Sequence, residues 1–289
     1  MDDVPASAEM TSVGFVGLGH MGQRMATRLL DVPGGLIVFD PDLAAAAPLV
    51  ERGATMASGI AHLAELSDVV CVRVAGDELT RQVVGELVTA AAPDATVAVH
   101  SAIRPATVAE LAARAGPLGV RVLDAAMSGG PTAAEQGRLA FLVGGSYAGL
   151  VALRPVLDRM GDLVVHLGAA GAGTRARLAH NLLHYVSLAA AGEASRLAEA
   201  AGIDPAVLGQ VVRHSESVTG GPGSMMWRAT AEPMAEDDPW RAVFGRLWAV
   251  GERDLHHAVE LASRLGVDTP LADVSLRELG PALGLGEPA

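Results

Sequence analysis

The 289-residue sequence contains no lysine, because all 21 of its basic residues are arginine. Against 33 acidic residues they leave a formal net charge of −12. A strongly acidic balance disfavours polyanionic partners, since nucleic acids are bound through cationic surfaces. We therefore expect no nucleic-acid partner.

Cysteine is nearly absent as well. The single cysteine, Cys71, lies in an apolar run and cannot form an internal disulfide, which fits a reducing compartment. No uninterrupted apolar stretch reaches the roughly 20 residues of a membrane-spanning helix, and Met1-Asp2-Asp3 has acids where a signal peptide has basic residues. These absences predict a cytoplasmic protein with no membrane partner and with Cys71 packed in its core.

Glycine, by contrast, is abundant and marks the most informative motif. The segment 13–22, V-G-F-V-G-L-G-H-M-G, is an apolar run that breaks into glycines where a helix should begin. Such glycines permit a tight turn, a close approach of backbone N–H groups to a pyrophosphate, and close packing of helix on strand. The spacing predicts a dinucleotide site on Gly17, Leu18, Gly19, His20, Met21 and Gly22.

An acidic residue follows at the expected distance. A second apolar run, 36–39, ends in Asp40, 18 residues after Gly22. A carboxylate there accepts hydrogen bonds from the adenosine ribose hydroxyls, and its charge repels the 2′-phosphate of NADP. The sequence therefore predicts NAD as the cofactor, with NADP disfavoured.

The order of apolar patterns predicts the architecture. Strand-like runs alternate with helical segments in the first half, whereas after Gly168 the strand patterns give way to long amphipathic stretches. We expect an α/β fold with a Rossmann-type doubly wound parallel sheet in residues 1–168, followed by an all-α domain in residues 169–289. The predicted strands lie near 12–17, 35–40, 68–74, 96–100, 120–125, 138–144 and 163–167, and the long helices near 174–201, 204–214, 240–265 and 268–284.

A second glycine motif predicts a place for the substrate. Ser128, Gly129 and Gly130 follow a predicted strand. A hydroxyl beside two unobstructed backbone N–H groups forms a concave site for a carboxylate. The serine is not a hydrolase nucleophile elbow, because that motif requires glycine where this chain has Ala126.

Four segments together resemble the β-hydroxyacid dehydrogenase family, which includes 3-hydroxyisobutyrate dehydrogenase and tartronate semialdehyde reductase. They are the opening glycine motif, the segment 124–145 around Ser128, the segment 171–181, G-A-G-T-R-A-R-L-A-H-N, and the segment 251–255, G-E-R-D-L. The resemblance covers nearly the whole chain. It implies hydride transfer between NAD(H) and a small β-hydroxy acid or its semialdehyde, and helical domains that pair into dimers or higher oligomers.

At the position of the family's proton-donating lysine this chain has Arg177, whereas Asn181 matches the asparagine that orients the substrate. Arginine stays protonated, so Arg177 can polarise a carbonyl but not readily deliver a proton. His180, three residues along the helix, is a candidate for that proton transfer. Two explanations stay open: lysines were replaced by arginine throughout the chain, including at position 177, or Arg177 is adapted to its reaction.

Three further differences from the family's sequence pattern concern the cofactor site. Arg253 replaces a family lysine that approaches the cofactor, a role that requires only a fixed cation. Val74 and Ala75 replace a Leu-Pro pair, and Ala102 replaces a threonine. We expect all four residues to line the cofactor site with altered geometry.

Other functions stay open at this point. An imine reductase that uses NADP has a similar fold and also lacks the lysine, and a dinucleotide-binding protein without catalysis would keep the glycine motif. A metal site is not expected: His180 and His184 have the i, i+4 spacing of zinc proteases, but position 181 is asparagine rather than glutamate and no third ligand is evident.

Overall fold

The computed structural model describes residues 11–226, 228 and 230–286. The chain divides into two compact units, Met1–Asn181 and Leu182–Ala289. This division falls inside a long helix, Ala172–Ala200, so the predicted domain boundary at 168/169 stays a prediction. The acids of Met1-Asp2-Asp3 lie outside the described residues.

The described part of the first unit contains one eight-stranded sheet in the order β3-β2-β1-β4-β5-β6-β7-β8. All neighbouring strands are parallel except β6 and β7. The doubly wound sheet predicted from sequence is thereby confirmed. The strands are β1 Val13–Val16, β2 Leu36–Phe39, β3 Thr55–Met56, β4 Val69–Val72, β5 Thr96–Val99, β6 Arg121–Ser128, β7 Leu139–Gly144 and β8 Gly161–His166.

Two details of the sheet differ from the sequence prediction. The strand β3 has two residues, too few to show a strand pattern. The strand β7 is antiparallel to β6, because the segment between Ser128 and Leu139 is shorter than the dozen or more residues that a parallel crossover requires.

Helices cover both faces of this sheet. They are α1 His20–Thr27, α2 Leu43–Val50, α3 Ile60–Glu65, α4 Gly76–Ala90, α5 Pro105–Ala115, α6 Gly130–Gln136 and α7 Tyr147–Met160. Strands covered on both faces read as continuous apolar runs, and every residue of β1, β4 and β5 is buried. Cys71 is fully buried in β4, and burial raises the pKa of its thiol to about 12. The expected core thiol is confirmed.

The described part of the second unit is helical, as predicted. It contains the end of α8 Ala172–Ala200, then α9 Pro205–Thr219, α10 Arg241–Leu265 and α11 Pro270–Ala282. Asp204 caps α9 by accepting a hydrogen bond from the Ala206 N–H, and Gly266 ends α10 in the left-handed conformation. Met234, Phe244 and Leu283 form a small core. Among the described residues, none of the helices combines the length and the apolar character needed to cross a bilayer.

Candidate active site

The glycine motif forms the turn between β1 and α1. Gly17 has a φ of +93°, and a Cβ there would lie 2.3 Å from the carbonyl oxygen of Arg73. A Cβ on Gly22 would lie 1.9 Å from the carbonyl oxygen of Gly17, whereas one on Gly19 would have no atom of a described residue within 4 Å. The chain's own packing therefore requires glycine at 17 and 22, and the backbone at 19 faces open space.

This turn lines a cavity of about 610 Å³ at the carboxyl ends of β1, β2 and β4. The volume lies within the usual range for small-molecule sites. Of the predicted cofactor residues, Leu18 packs in the core and Ala102 is exposed after β5. The remaining predicted residues of the first unit line the cavity: Gly17, Gly19, His20, Met21, Gly22, Asp40, Val74 and Ala75.

Asp40 holds the glycine turn against the end of β2. One carboxylate oxygen accepts a 2.7 Å hydrogen bond from the N–H of Leu18, and the other accepts a 2.9 Å bond from the N–H of Asp42. Each oxygen of a carboxylate can accept a further bond. Asp40 is thus oriented on the cavity wall with acceptor capacity for a ribose.

Asp124 in β6 fixes the start of α8, a role that sequence analysis missed. Its fully buried carboxylate accepts hydrogen bonds from the N–H of Gly171 at 2.8 Å and of Thr174 at 2.5 Å. A Cβ on Gly173 would lie 2.1 Å from the carbonyl oxygen of Leu142, so glycine there lets α8 begin close to β7. The only signal in the sequence was an acid inside an apolar run.

The strand and helix joined by Asp124 carry the predicted substrate residues. Ser128 ends β6, and its Oγ lies 3.3 Å from Nε2 of His180 on α8. Nδ1 of His180 lies 3.2 Å from Oδ1 of Asn181. Because that oxygen can only accept, Nδ1 carries the hydrogen, and Nε2 is an acceptor facing the serine hydroxyl. Gly129 and Gly130 follow with φ angles of +122° and +69°, and their N–H groups lie at the N-cap and the first residue of α6, where no intrahelical acceptor exists.

Arg177 lies one turn before Asn181 on α8, and its Nε is buried without a hydrogen-bond partner in the described part of the chain. Arg73, which follows β4 and lines the cavity, has a buried and unpartnered Nε as well. Burial and the charge of Arg177 lower the pKa of Arg73. The charge of Arg177 on α8 thus acts on the guanidinium of Arg73 after β4.

His100, directly after β5, is buried and lies within the electrostatic range of Arg73. Its Nδ1 lies 2.7 Å from the carbonyl oxygen of Ala125, and burial lowers its pKa to about 4. The lowered pKa makes the ring neutral near pH 7, with its hydrogen on Nδ1 toward that carbonyl, and Nε2 is an acceptor without a partner in the described part of the chain. Sequence analysis missed both His100 and Arg73, which lay in segments identified as strands.

Arg253 belongs to the second unit. It lies on α10, is exposed, and its Nε and Nη2 are both 3.2 Å from Oδ1 of Asp254. Its predicted contact with the cofactor stays a prediction.

Comparison with known proteins decides the family. A model described as the NAD-binding domain of 6-phosphogluconate dehydrogenase matches residues 12–168, and a model for NAD binding in NADP-dependent 3-hydroxyisobutyrate dehydrogenase matches residues 171–279. The chain belongs to the β-hydroxyacid dehydrogenase family. Members of this family are oxidoreductases that use a nicotinamide dinucleotide, and the cavity beside the open backbone at Gly19 fits such a group.

Individual relatives agree with this membership. An uncharacterized oxidoreductase of Mycobacterium tuberculosis is 43% identical over 98% of this chain and 97% of its own length. The 3-hydroxyisobutyrate dehydrogenase of Pseudomonas aeruginosa is 37% identical over 71% of this chain and 70% of its own. A crystal structure of a Mycobacterium avium protein has a TM-score of 0.90 at 40% identity and covers 95% of this chain and 99% of that chain.

Proposed function

We propose that this member of the β-hydroxyacid dehydrogenase family oxidises the hydroxyl of a small β-hydroxy acid, or reduces the matching semialdehyde, with NAD(H). The contact between Ser128 and His180 carries the proposal, because it brings a carboxylate-binding hydroxyl next to a proton acceptor. Bound NAD supplies the hydride acceptor. Every other step falls to residues of this chain.

Ser128, Gly129 and Gly130 bind the substrate carboxylate through one hydroxyl and two backbone N–H groups. With the Nδ1 hydrogen of His180 directed at Asn181, the Ser128 hydroxyl is the donor to Nε2. When the hydroxyl turns to the carboxylate, the substrate's own hydroxyl replaces it at Nε2. His180 is held for this role by its Nδ1–H bond to Asn181.

Arg177 stabilises negative charge on the reacting oxygen. A guanidinium in a partly buried site does this by charge and directed N–H donors, without giving up a proton. Proton transfer and charge stabilisation, which one lysine performs in related enzymes, are then divided between His180 and Arg177.

Asp40 selects NAD over NADP, and Arg253 supplies a cation to the cofactor. The selection is electrostatic, since the carboxylate on the cavity wall repels a 2′-phosphate. Arg253 is exposed on α10 and forms a pair with Asp254, which a phosphate or ribose can displace at low cost.

The experiment that tests the proton transfer compares His180→Gln with His184→Gln, a matched control four residues further along α8. Steady-state oxidation of 3-hydroxy acids with NAD⁺ should lose about 10² to 10⁴ in kcat in the first variant and little in the second. Added imidazole should restore part of the His180→Gln rate, because the position is exposed. Equal losses in both variants, or no rescue, would contradict the role of His180. Imines assayed with NADPH test the alternative activity.

A second copy of the chain covers α9. The helix has no buried residue, and its apolar side chains Val207, Val211 and Val218 are 52%, 59% and 75% exposed. A helix face of this kind is typical of a surface that packs against a partner. Sedimentation equilibrium should give a dimer or a multiple of it, and a monomer at micromolar concentration would contradict this assembly.

A further inference from the structure

Arg73 carries a charge that the proposed chemistry does not use. It is half-buried after β4, on the wall of the cavity formed by the glycine turn. Its one hydrogen bond to a described residue is a long one, 3.5 Å from Nη1 to the carbonyl oxygen of Val74. The Nε of Arg73 and that of Arg177 are both shielded from solvent without an acceptor among the described residues.

No described carboxylate balances the two charges. Neither guanidinium forms a salt bridge within the described part of the chain. Asp40 and Asp124 are occupied by backbone N–H groups of the glycine turn and of α8. His100 interacts electrostatically with Arg73 but is neutral near pH 7, so it supplies no negative charge.

An uncompensated pair of this kind is costly. Like charges repel, and each buried N–H without an acceptor carries a desolvation penalty. A bound anion removes both costs, because a guanidinium forms paired, charge-assisted hydrogen bonds with a carboxylate. The arrangement is therefore organised for a ligand that supplies negative charge beside Arg73.

We infer that Arg73 binds a second carboxylate of the substrate, so that the substrate is a β-hydroxy dicarboxylic acid. This inference rests on the proposed function, which assigns the first carboxylate to Ser128–Gly130 and the reacting oxygen to Arg177. A monocarboxylic substrate gives Arg73 no carboxylate partner. A dicarboxylic substrate supplies an acceptor and a counter-charge for the Arg73 guanidinium.

The kinetic test compares 2-(hydroxymethyl)butanedioate with its 4-amide, which keeps the skeleton and removes one charge. The wild-type enzyme should prefer the diacid by about 10- to 100-fold in kcat/KM, as expected for one charge-assisted pair. Arg73→Met should abolish the preference for the diacid over the amide, and Arg73→Lys should keep part of it. Arg175→Met, an exposed arginine two residues from Arg177, is the control and should keep all of it.

A binding test separates this inference from the proposed function. Calorimetric titration with malonate and with acetate, without turnover, should show tighter binding of malonate to the wild type and to Arg175→Met. Arg73→Met should bind the two anions equally. If malonate binding depends on Arg73 but no hydroxy acid is oxidised, the proposed function fails and the anion site stands.

Two results would overturn the inference. One is an equal preference for diacid over amide in the wild type and in Arg73→Met. The other is a loss of NADH affinity of more than about tenfold in Arg73→Met with unchanged malonate binding, which would assign Arg73 to the cofactor phosphates. If Arg73→Met does not fold, Arg73→Gln replaces it in both tests, with the same expectations.

Discussion

Replacing Asp124 by asparagine should destabilise the first unit strongly. The change keeps the size of the side chain but removes its charge and one of its two acceptors. The amide oxygen can still accept one of the N–H bonds from Gly171 and Thr174. The amide nitrogen then faces the other N–H, which is left buried without an acceptor.

The magnitude follows from these contacts. Losing one hydrogen bond to a charged group costs about 1.5–3 kcal/mol, and losing a negative charge at a helix start costs up to about 2 kcal/mol. Relief from burying a carboxylate offsets part of this sum. We expect a net decrease of about 2–4 kcal/mol in the free energy of unfolding, together with a lower kcat, because Asp124 fixes the helix that carries Arg177.

Urea unfolding followed by circular dichroism measures this decrease. Asp158→Asn is the matched control, since it makes the same change of charge at an exposed residue that pairs with Arg154 on α7. Exposed pairs of this kind contribute at most about 0.5 kcal/mol. A decrease below about 1 kcal/mol for Asp124→Asn, or equal decreases in the two variants, would refute the role assigned to Asp124.

Three further predictions concern single side chains. Arg177→Lys should raise kcat on a small 3-hydroxy acid about tenfold, because lysine keeps the positive charge and adds a second proton-exchanging group to that of His180. Steady-state rates measure this change, and no gain would mean that Arg177 is adapted to its reaction. Asp40→Asn should raise the affinity for NADPH relative to NADH about 10- to 100-fold, because it removes the charge that repels the 2′-phosphate while still accepting the N–H of Leu18. Fluorescence titration measures the two dissociation constants, and an unchanged ratio between them would contradict the selection by charge. The free energy of unfolding should fall by about 3 kcal/mol between pH 6.5 and pH 4, because the lowered pKa of buried His100 lets the unfolded state bind a proton first. Denaturant titrations at several pH values should show that His100→Gln lacks this decrease, and the same pH dependence in both proteins would contradict the prediction.

The sequence predicted the fold well, because its signals there are local. Glycines at fixed spacing, apolar runs and amphipathic stretches each depend on neighbouring residues, and the structure follows them closely from β1 to α11. The antiparallel pairing of β6 and β7 depended on counting the residues between two strands, which the alternating pattern concealed.

The site could be predicted only in part. Ser128, Arg177 and Asn181 were recognisable because each lies in a motif of fixed spacing. Arg73 and Asp124 were not, since their roles depend on contacts with residues about 50 or more positions away in the chain. A charged residue inside or directly after an apolar strand run was the one signal that both shared.

Transfer of a labelled hydride tests the central claim most directly. A β-hydroxy acid carrying deuterium on its hydroxyl-bearing carbon is incubated with the enzyme and NAD⁺, using mono- and dicarboxylic acids in parallel, and the nicotinamide product is analysed by mass spectrometry. We predict NADH that carries one deuterium, formed at a rate that His180→Gln lowers. Binding of NADH without turnover of any acid, or a reduced nicotinamide without deuterium, would contradict the assignment of this chain as a β-hydroxy acid dehydrogenase.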